Sequence, residues 1–270
     1  MVLAGSIARF FTYKKCMDWP VRRMEAMKLT TIGFWGAYPS KNEATSCYLL
    51  EEKGKKIVID CGSGALAKLQ NHIELTDLDA VIISHIHPDH IADLYCLEYA
   101  MLIQQQLGNR QKPLDVFIYT ENVSHLPFSY PDIFQVKQIK EDSQLQIGTL
   151  SFSFHNNLHE IPCCAVKITD QAGKSFVYSG DTGYTESFVQ FARNVDTLLI
   201  ECSFFLEQKG LVKGHLSTVE VAEIAERADV KHVILTHFPH YGSIEQLVKE
   251  VQALSSKSVD YAKETLSITI

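Results

Sequence analysis

Apolar positions along the chain fall into short runs with two periods, one near 2 and one near 3.6. Lys28 to Phe34 begins with alternation and then meets Gly36, Pro39 and Asn42, which reads as a strand feeding a loop. Cys47 to Glu51 and Lys56 to Asp60 flank a polar stretch in which Gly54 supplies turn freedom, so a hairpin is predicted. Ala65 to His72 reads as a short helix. Ala80-Val81-Ile82-Ile83 is continuously apolar, has the length of a buried strand and ends at Ser84. From Ile91 to Leu107, Leu94, Leu97, Met101 and Ile103 recur at helical spacing.

Leu114 to Tyr119, Phe134 to Ile139, Ser143 to Ile147 and Leu150 to His155 are strand candidates, with an irregular segment from Glu121 to Asp132. The aromatic residues of this region read as core or rim packing, because Pro and Ser break the regular interleaving of a base-stacking platform. Cys163 to Thr169 and Ser175 to Ser179 form a second hairpin, followed by a helix over Thr185 to Arg193. Thr197 to Ile200 is a short buried strand ending at Glu201. Thr218 to Arg227 carries Val219, Ala222, Ile224 and Ala225 on a helix, with Ser217 as cap and Glu220 in the capping-box position. Val230 to Leu235 is the final core strand. Hairpin, helix, strand and exposed histidine thus occur twice. The predicted fold class is α/β, a four-layer helix/sheet/sheet/helix sandwich, which the early hairpins favour over a doubly wound sheet. Residues 1–26 read as an N-terminal extension, flexible or partly helical, and 27–270 as one domain of two similar halves, about 27–150 and 151–270.

At 270 residues and 46% hydrophobic, the chain can bury a full core. A net charge of −7 argues against a generally sticky nucleic-acid binder, but leaves room for a polyanion held by metals and a local basic patch. The seven cysteines lack framework spacing and suit reduced, buried thiols. Cys163 and Cys164, neighbours on a strand, face opposite ways. No apolar run spans a bilayer, and the charges after Val2 to Ala8 follow the apolar patch instead of preceding it. A cytoplasmic protein with no membrane partner is expected, as a homodimer.

The chemistry concentrates at the end of the buried strand. His85, His87, Asp89 and His90 occupy the six positions after Ser84, and an apolar strand has no packing reason to finish in three imidazoles. Alternation points His85 and His87 the same way, and Pro88 then restrains the backbone before Asp89 and His90. One cation site can use the first pair and a second site the latter. Asp60, at another strand end, either orients a ligand or caps the helix near Ala65. Asp181, between Gly180 and Gly183 at a strand end, is an ordinary turn residue or an oxygen donor bridging two cations. His155 is ambiguous, whereas His159 lies in a function-prone loop. His215 stands just ahead of a helix amino terminus, where phosphate charge is welcome. His237 and His240 follow the last strand, His240 reading as a rim residue. His72, His125 and His232 have no supporting constellation.

His-x-His-x-Asp-His at residues 85 to 90 resembles the signature of the metallo-β-lactamase superfamily, and the likeness extends from Met27 nearly to the end of the chain. By that resemblance His85, His87 and His159 would hold a first metal and Asp89, His90 and His237 a second, with Asp181 shared and Asp60 supporting the site. Gly214-His215-Leu216-Ser217 and Leu235-Thr236-His237-Phe238 are similar to the ribonuclease Z and cyclic phosphodiesterase branch. In that branch His215 matches an additional catalytic histidine and Glu201 an acidic residue that orients it. Transfer-RNA-processing members carry a long arm between the third histidine and the bridging aspartate. Here those residues, His159 and Asp181, stand only 22 positions apart. A small nucleotide or cyclic phosphodiester is therefore the expected substrate, with RNA as the second candidate.

The implied cofactors are two divalent cations, Zn²⁺ from the histidine-rich donor set, with Mn²⁺ second because two carboxylates sit among the ligands. They would acidify a water for an in-line displacement, Asp89 would take its proton, and His215 would stabilise the transition state or protonate the leaving oxygen. The competing classes are a ribonuclease acting on RNA ends, a thioesterase or lactonase using the same water on a carbonyl, and a non-catalytic metal-binding module.

Overall fold

In a computed structural model that describes residues 26–270, the alternating segment near the start forms β1 (Lys28–Gly33). It pairs antiparallel with β2 (Cys47–Glu52), which turns back into β3 (Lys55–Ile59). Residues 1–25, most of the expected extension, lie outside the described residues. β4 (Ala80–Ile83), β5 (Leu114–Tyr119) and β6 (Phe134–Ile139) add in parallel. All of β4 is buried, as a continuously apolar strand covered on both faces must be.

The second sheet begins with the antiparallel strands β7 (Gln144–Ile147), β8 (Leu150–Asn156), β9 (Cys164–Thr169) and β10 (Ser175–Tyr178). It continues in parallel through β11 (Thr197–Glu201), β12 (His232–Thr236) and β13 (Ser258–Tyr261). A last strand, β14 (Ser267–Thr269), returns to the first sheet beside β1. Each sheet has seven strands, in the orders β14-β1-β2-β3-β4-β5-β6 and β13-β12-β11-β10-β9-β8-β7. The chain changes sheet between β6 and β7, ahead of position 150, because Gln144–Ile147 forms a hairpin with the strand that follows it.

Strand alternation builds the layers. Ile57, Ile59 and Ile82 point toward Phe152, Val166 and Phe176 and form the core between the sheets. Val58, Val81 and Ile83 point the other way, toward Leu94, Leu97 and Met101. Helices α1 (Ala65–Leu69), α2 (Pro88–Ile91) and α3 (Leu94–Gln106) follow strands of the first sheet. α4 (Glu186–Phe191), α5 (Thr218–Arg227) and α6 (Ile244–Leu254) belong to the connections of the second. The four-layer sandwich expected from the hairpins is the observed fold. No helix among the described residues is long and apolar enough to cross a membrane.

Three local expectations change. The helix read from Ile91 to Leu107 begins at Leu94 and ends at Gln106, Ile91 closes the short α2 ahead of it, and Asp93, at the break, accepts a hydrogen bond from the Leu66 amide. The helix read over Ala65 to His72 ends at Leu69. Asp60 does not cap it: the cap position is Gly64, in the left-handed conformation.

The start of β4 is clamped by a buried guanidinium. Arg110 donates from Nη1 to the carbonyls of Thr76 (2.7 Å) and Leu78 (2.9 Å), and from Nε and Nη2 to those of Lys112 and Pro113, just before β5. Replacement Arg110→Met leaves these carbonyls without their donor and is expected to lower unfolding stability by about 2–3 kcal/mol. An unchanged urea midpoint would show that the clamp contributes nothing.

Candidate metal centre

The ends of β4, β10, β11 and β12 meet along one edge of the sandwich, and the residues of the predicted site lie at or shortly after strand ends, except His159, in a loop, and His215, just ahead of α5. The loop Asn157 to Cys163 brings in His159. Donor atoms of His85, His87, His159 and Asp181 lie within 4.8 Å of one another, as do those of Asp89, His90, Asp181 and His237. These are the two sets expected from the sequence, with Asp181 common to both. Its Oδ2 is 3.7 Å from His85 Nε2 and 3.3 Å from His237 Nε2, while its Oδ1 is 3.3 Å from His90 Nε2.

Hydrogen bonds behind the cluster decide which nitrogen each imidazole offers. Ser84 Oγ donates to Asp60 Oδ2 (2.8 Å), so it accepts from His85 Nδ1 (3.1 Å) and leaves His85 Nε2 as the inward lone pair. His90 Nδ1 donates directly to Asp60 Oδ2 at 2.7 Å. His159 Nδ1 donates to the Gly214 carbonyl, which turns its Nε2 to within 3.1 Å of His87 Nδ1. On the opposite side Ser203 Oγ donates to Glu201 Oε2 (2.7 Å) and accepts from His237 Nδ1 (3.1 Å), again freeing Nε2. The other Glu201 oxygen accepts from the Thr182 amide (2.8 Å) and from His215 Nδ1 (3.0 Å). Asp89 is steadied by the Ala37 amide, which donates to its Oδ2 at 2.7 Å.

Several groups sequence reasoning did not single out therefore serve the site: Ser203, Tyr178, Ser84 and the Ala37 amide. Ser203 had a signal, since it stands two residues after Glu201 and shares its side of the chain. Tyr178, whose hydroxyl donates to Asp60 at 2.7 Å, had none, because its partner lies 118 positions earlier. Glu160 stands at the mouth, 3.9 Å from His87. His155 is elsewhere, stacked on Phe191 and facing Glu141. His240 is at the rim, and His232 pairs with exposed Asp260.

A divalent cation fits this donor set. His85 Nε2, His90 Nε2 and Asp181 Oδ1 are buried without a hydrogen-bond partner, though buried polar atoms are normally paired. Burial and the neighbouring His90 keep the His85 pKa well below its ordinary value. Burial works the same way on His90 and His237, but the carboxylates outweigh it: Asp181, Asp60 and Asp89 raise His90, and Asp181 and Asp89 raise His237. Burial would raise the carboxyls of Asp89 and Asp181, yet the charges of His90 and His237 hold both below the usual range. Protons on these imidazoles thus balance the carboxylates until a cation replaces them.

A family model described as "Beta-lactamase superfamily domain" matches residues 55–238. The chain is 34% identical over 238 residues to the "Probable metallo-hydrolase YhfI" of Bacillus subtilis, covering 88% of this chain and 97% of that protein. The crystal structure of YhfI superposes with a TM-score of 0.87 over 90% of this chain and 99% of the other. A "Ribonuclease Z" of Sulfolobus acidocaldarius is 27% identical over 286 residues, 88% of this chain and 97% of its own. A diphosphatase "from the PhnP Family" shares the fold, with a TM-score of 0.69 at 15% identity over 90% of this chain and 98% of that one.

Because the neighbouring carboxylates raise the pKa values of His90 and His237 and so favour the protons that a cation must displace, loading chelator-stripped protein with Zn²⁺ is expected to release protons. Calorimetric titration in two buffers of different ionisation enthalpy measures this, and affinity should strengthen as pH rises from 6 to 8. Metal uptake without proton release would contradict the assignment.

Proposed function

This chain belongs to the metallo-β-lactamase superfamily and is a metal-dependent hydrolase, and from that premise we propose that it is a binuclear phosphodiesterase acting on a small nucleotide or cyclic diester. His85, His87 and His159 would hold one cation, Asp89, His90 and His237 the other, and Asp181 would bridge them; Zn²⁺ suits five imidazoles better than Mn²⁺ does. Cations so held would acidify water and neutralise charge on the phosphoryl oxygens.

The observation that carries the reading is the Glu201–His215 pair. Burial alone would push the His215 imidazolium down, but the charge and hydrogen bond of Glu201 outweigh it and raise the pKa to about 10. A cation that can also deliver a proton therefore stands 4.0 Å from the shared Asp181. Such a group matches an anionic diester with a poor alkoxide leaving group, whereas a thioester leaves without that help. Glu201 holds Nδ1–H, so Nε2–H is the proton to give. Asp89 turns Oδ2 toward Ala37 and His237, leaving Oδ1 to accept the proton of the attacking water.

Likeness to ribonuclease Z favours RNA ends as a second reading. Against it, the segment from His159 to Asp181 holds only a loop and the β9–β10 hairpin, with no arm to grip a folded RNA. A thioesterase would use the cluster but not the proton on His215, and a lactone, though it too expels an alkoxide, is neutral and brings no phosphate charge for the His215 cation to meet. A non-catalytic role would need a broken donor set, and the set is complete.

With zinc-loaded protein, bis(p-nitrophenyl) phosphate and nucleotide alkyl esters are expected to be hydrolysed, and exhaustive chelation to abolish turnover. His215→Ala should lower kcat on the alkyl esters by about 10²–10⁴-fold and less on the nitrophenyl ester, whose leaving group needs no proton. The wild-type rate should fall on the alkaline side as His215 loses its proton, and the variant should lack that limb. Turnover confined to thioesters or lactones, or insensitive to chelation, would overturn the proposal.

A further inference from the structure

Next to His215 and His237 the surface opens into a cavity of about 320 Å³, walled by Tyr38, Phe204, Phe238 and Tyr241. The Trp35 bridge to Phe238 and the hydrogen bond from the Gly36 amide to the Phe238 carbonyl fix one wall against the segment after β12. His240 lies flat between two rings of that wall, with centroids 4.8 Å from Trp35 and 3.6 Å from Tyr38 and interplanar angles of 16° and 10°. The stack ends on Tyr38, which is 58% exposed. Gly36 is held where any side chain would strike the His237 ring, since an added Cβ would come within 2.7 Å of it.

Most polar atoms around this cavity are already engaged, the exceptions being the Tyr38 hydroxyl at the exposed end and His215 Nε2 at the cluster end. His240 Nε2 donates to the carbonyls of Gly36 and Tyr38, Ser203 Oγ to Glu201, and Tyr241 OH to Gln208. Between those two groups the cavity offers a ligand ring surface, continuous with the cluster where a phosphate would lie.

We propose that this pocket receives the nucleobase of the diester by stacking, and accepts purines and pyrimidines alike. This rests on the phosphodiesterase reading above, with the scissile phosphate at the cluster and the ring beside Tyr38 and Phe204. Ring stacking without hydrogen-bond readout tolerates any base, because every base has a π-face.

The test uses the zinc-loaded full chain and three probes: the 2′,3′-cyclic phosphates of adenosine, cytidine and 1-O-methylribose, the last lacking a base. The two nucleotides should exceed the base-free compound by roughly 10- to 100-fold in kcat/KM and agree with each other within about tenfold. Tyr38→Ala should shrink that advantage, and Tyr38→Phe should retain it. Since Tyr38 is exposed, neither change threatens folding. Equal turnover of the base-free compound overturns the pocket assignment while leaving the phosphodiesterase reading intact, and strong selection of one base overturns its tolerance. If no diester is cleaved, the functional reading fails, and calorimetry with adenosine 5′-phosphate against ribose 5-phosphate decides the pocket separately: tighter binding of the nucleotide supports it, and equal affinities overturn it.

Discussion

The Asp60 carboxylate, buried between the sheets, is the point at which the fold and the site become one structure. It accepts from the Ser84 amide and hydroxyl at the end of β4, from Tyr178 on the opposite sheet, and from His90. A carboxyl group so far from water is tolerated only when its polar atoms are paired, and removing one partner of such a network costs more than the same hydrogen bond at a surface. Asp60 also adopts a left-handed backbone, φ 56°, as does the ligand His237. Strain of this kind persists where surrounding structure over-determines it, and both residues stand where the chain must leave a strand and aim a side chain into the cluster.

Glu201 repeats the device on the other half. Asp60 reaches His85 through Ser84, and Glu201 reaches His237 through Ser203, so each sheet contributes a carboxylate, a serine and an imidazole in series. The two differ in what the carboxylate does with its remaining capacity. Asp60 uses it on a second imidazole, His90, and on Tyr178; Glu201 uses it on His215 and the Thr182 amide beside Asp181. One half therefore holds only imidazoles of the cluster, and the other joins such an imidazole to His215.

Much of this was legible in the sequence because it is local. His85 to His90 sit within six positions, the β4 run is uninterrupted, and the Ser217 and Glu220 capping box marks the start of α5 as read. Asp60 was legible as a candidate but not in role: its position at a strand end suited capping and ligand orientation equally, and only His90 and Tyr178 close to it decide. Alternation placed Ser203 beside Glu201 but not its link to His237, 34 positions away, and for Tyr178, whose partner lies 118 positions earlier, it holds no signal at all. The segment beyond His240 was left unassigned although α6 carries its own marks, Ser243 capping the Gln246 amide and Ile244, Leu247 and Val251 at helical spacing. The start of α3 at Leu94 was hidden because Ile91 fits the same apolar period.

The return of β14 to the edge of β1 bears on how the molecule is made. Lys28 pairs with Thr269, so the first sheet, begun by the earliest described strand, gains its last strand only when residues at the far end of the chain have been synthesised. Until then β1 presents an unpaired edge to its surroundings, the kind of surface on which nascent chains associate wrongly. Closing so long a loop is also slow, since its entropy must be lost before the pairing returns anything. The strands β4, β10, β11 and β12, whose ends carry the His/Asp cluster, are all complete before that closure, so a growing chain can gather the cluster while one margin of the sandwich is still open.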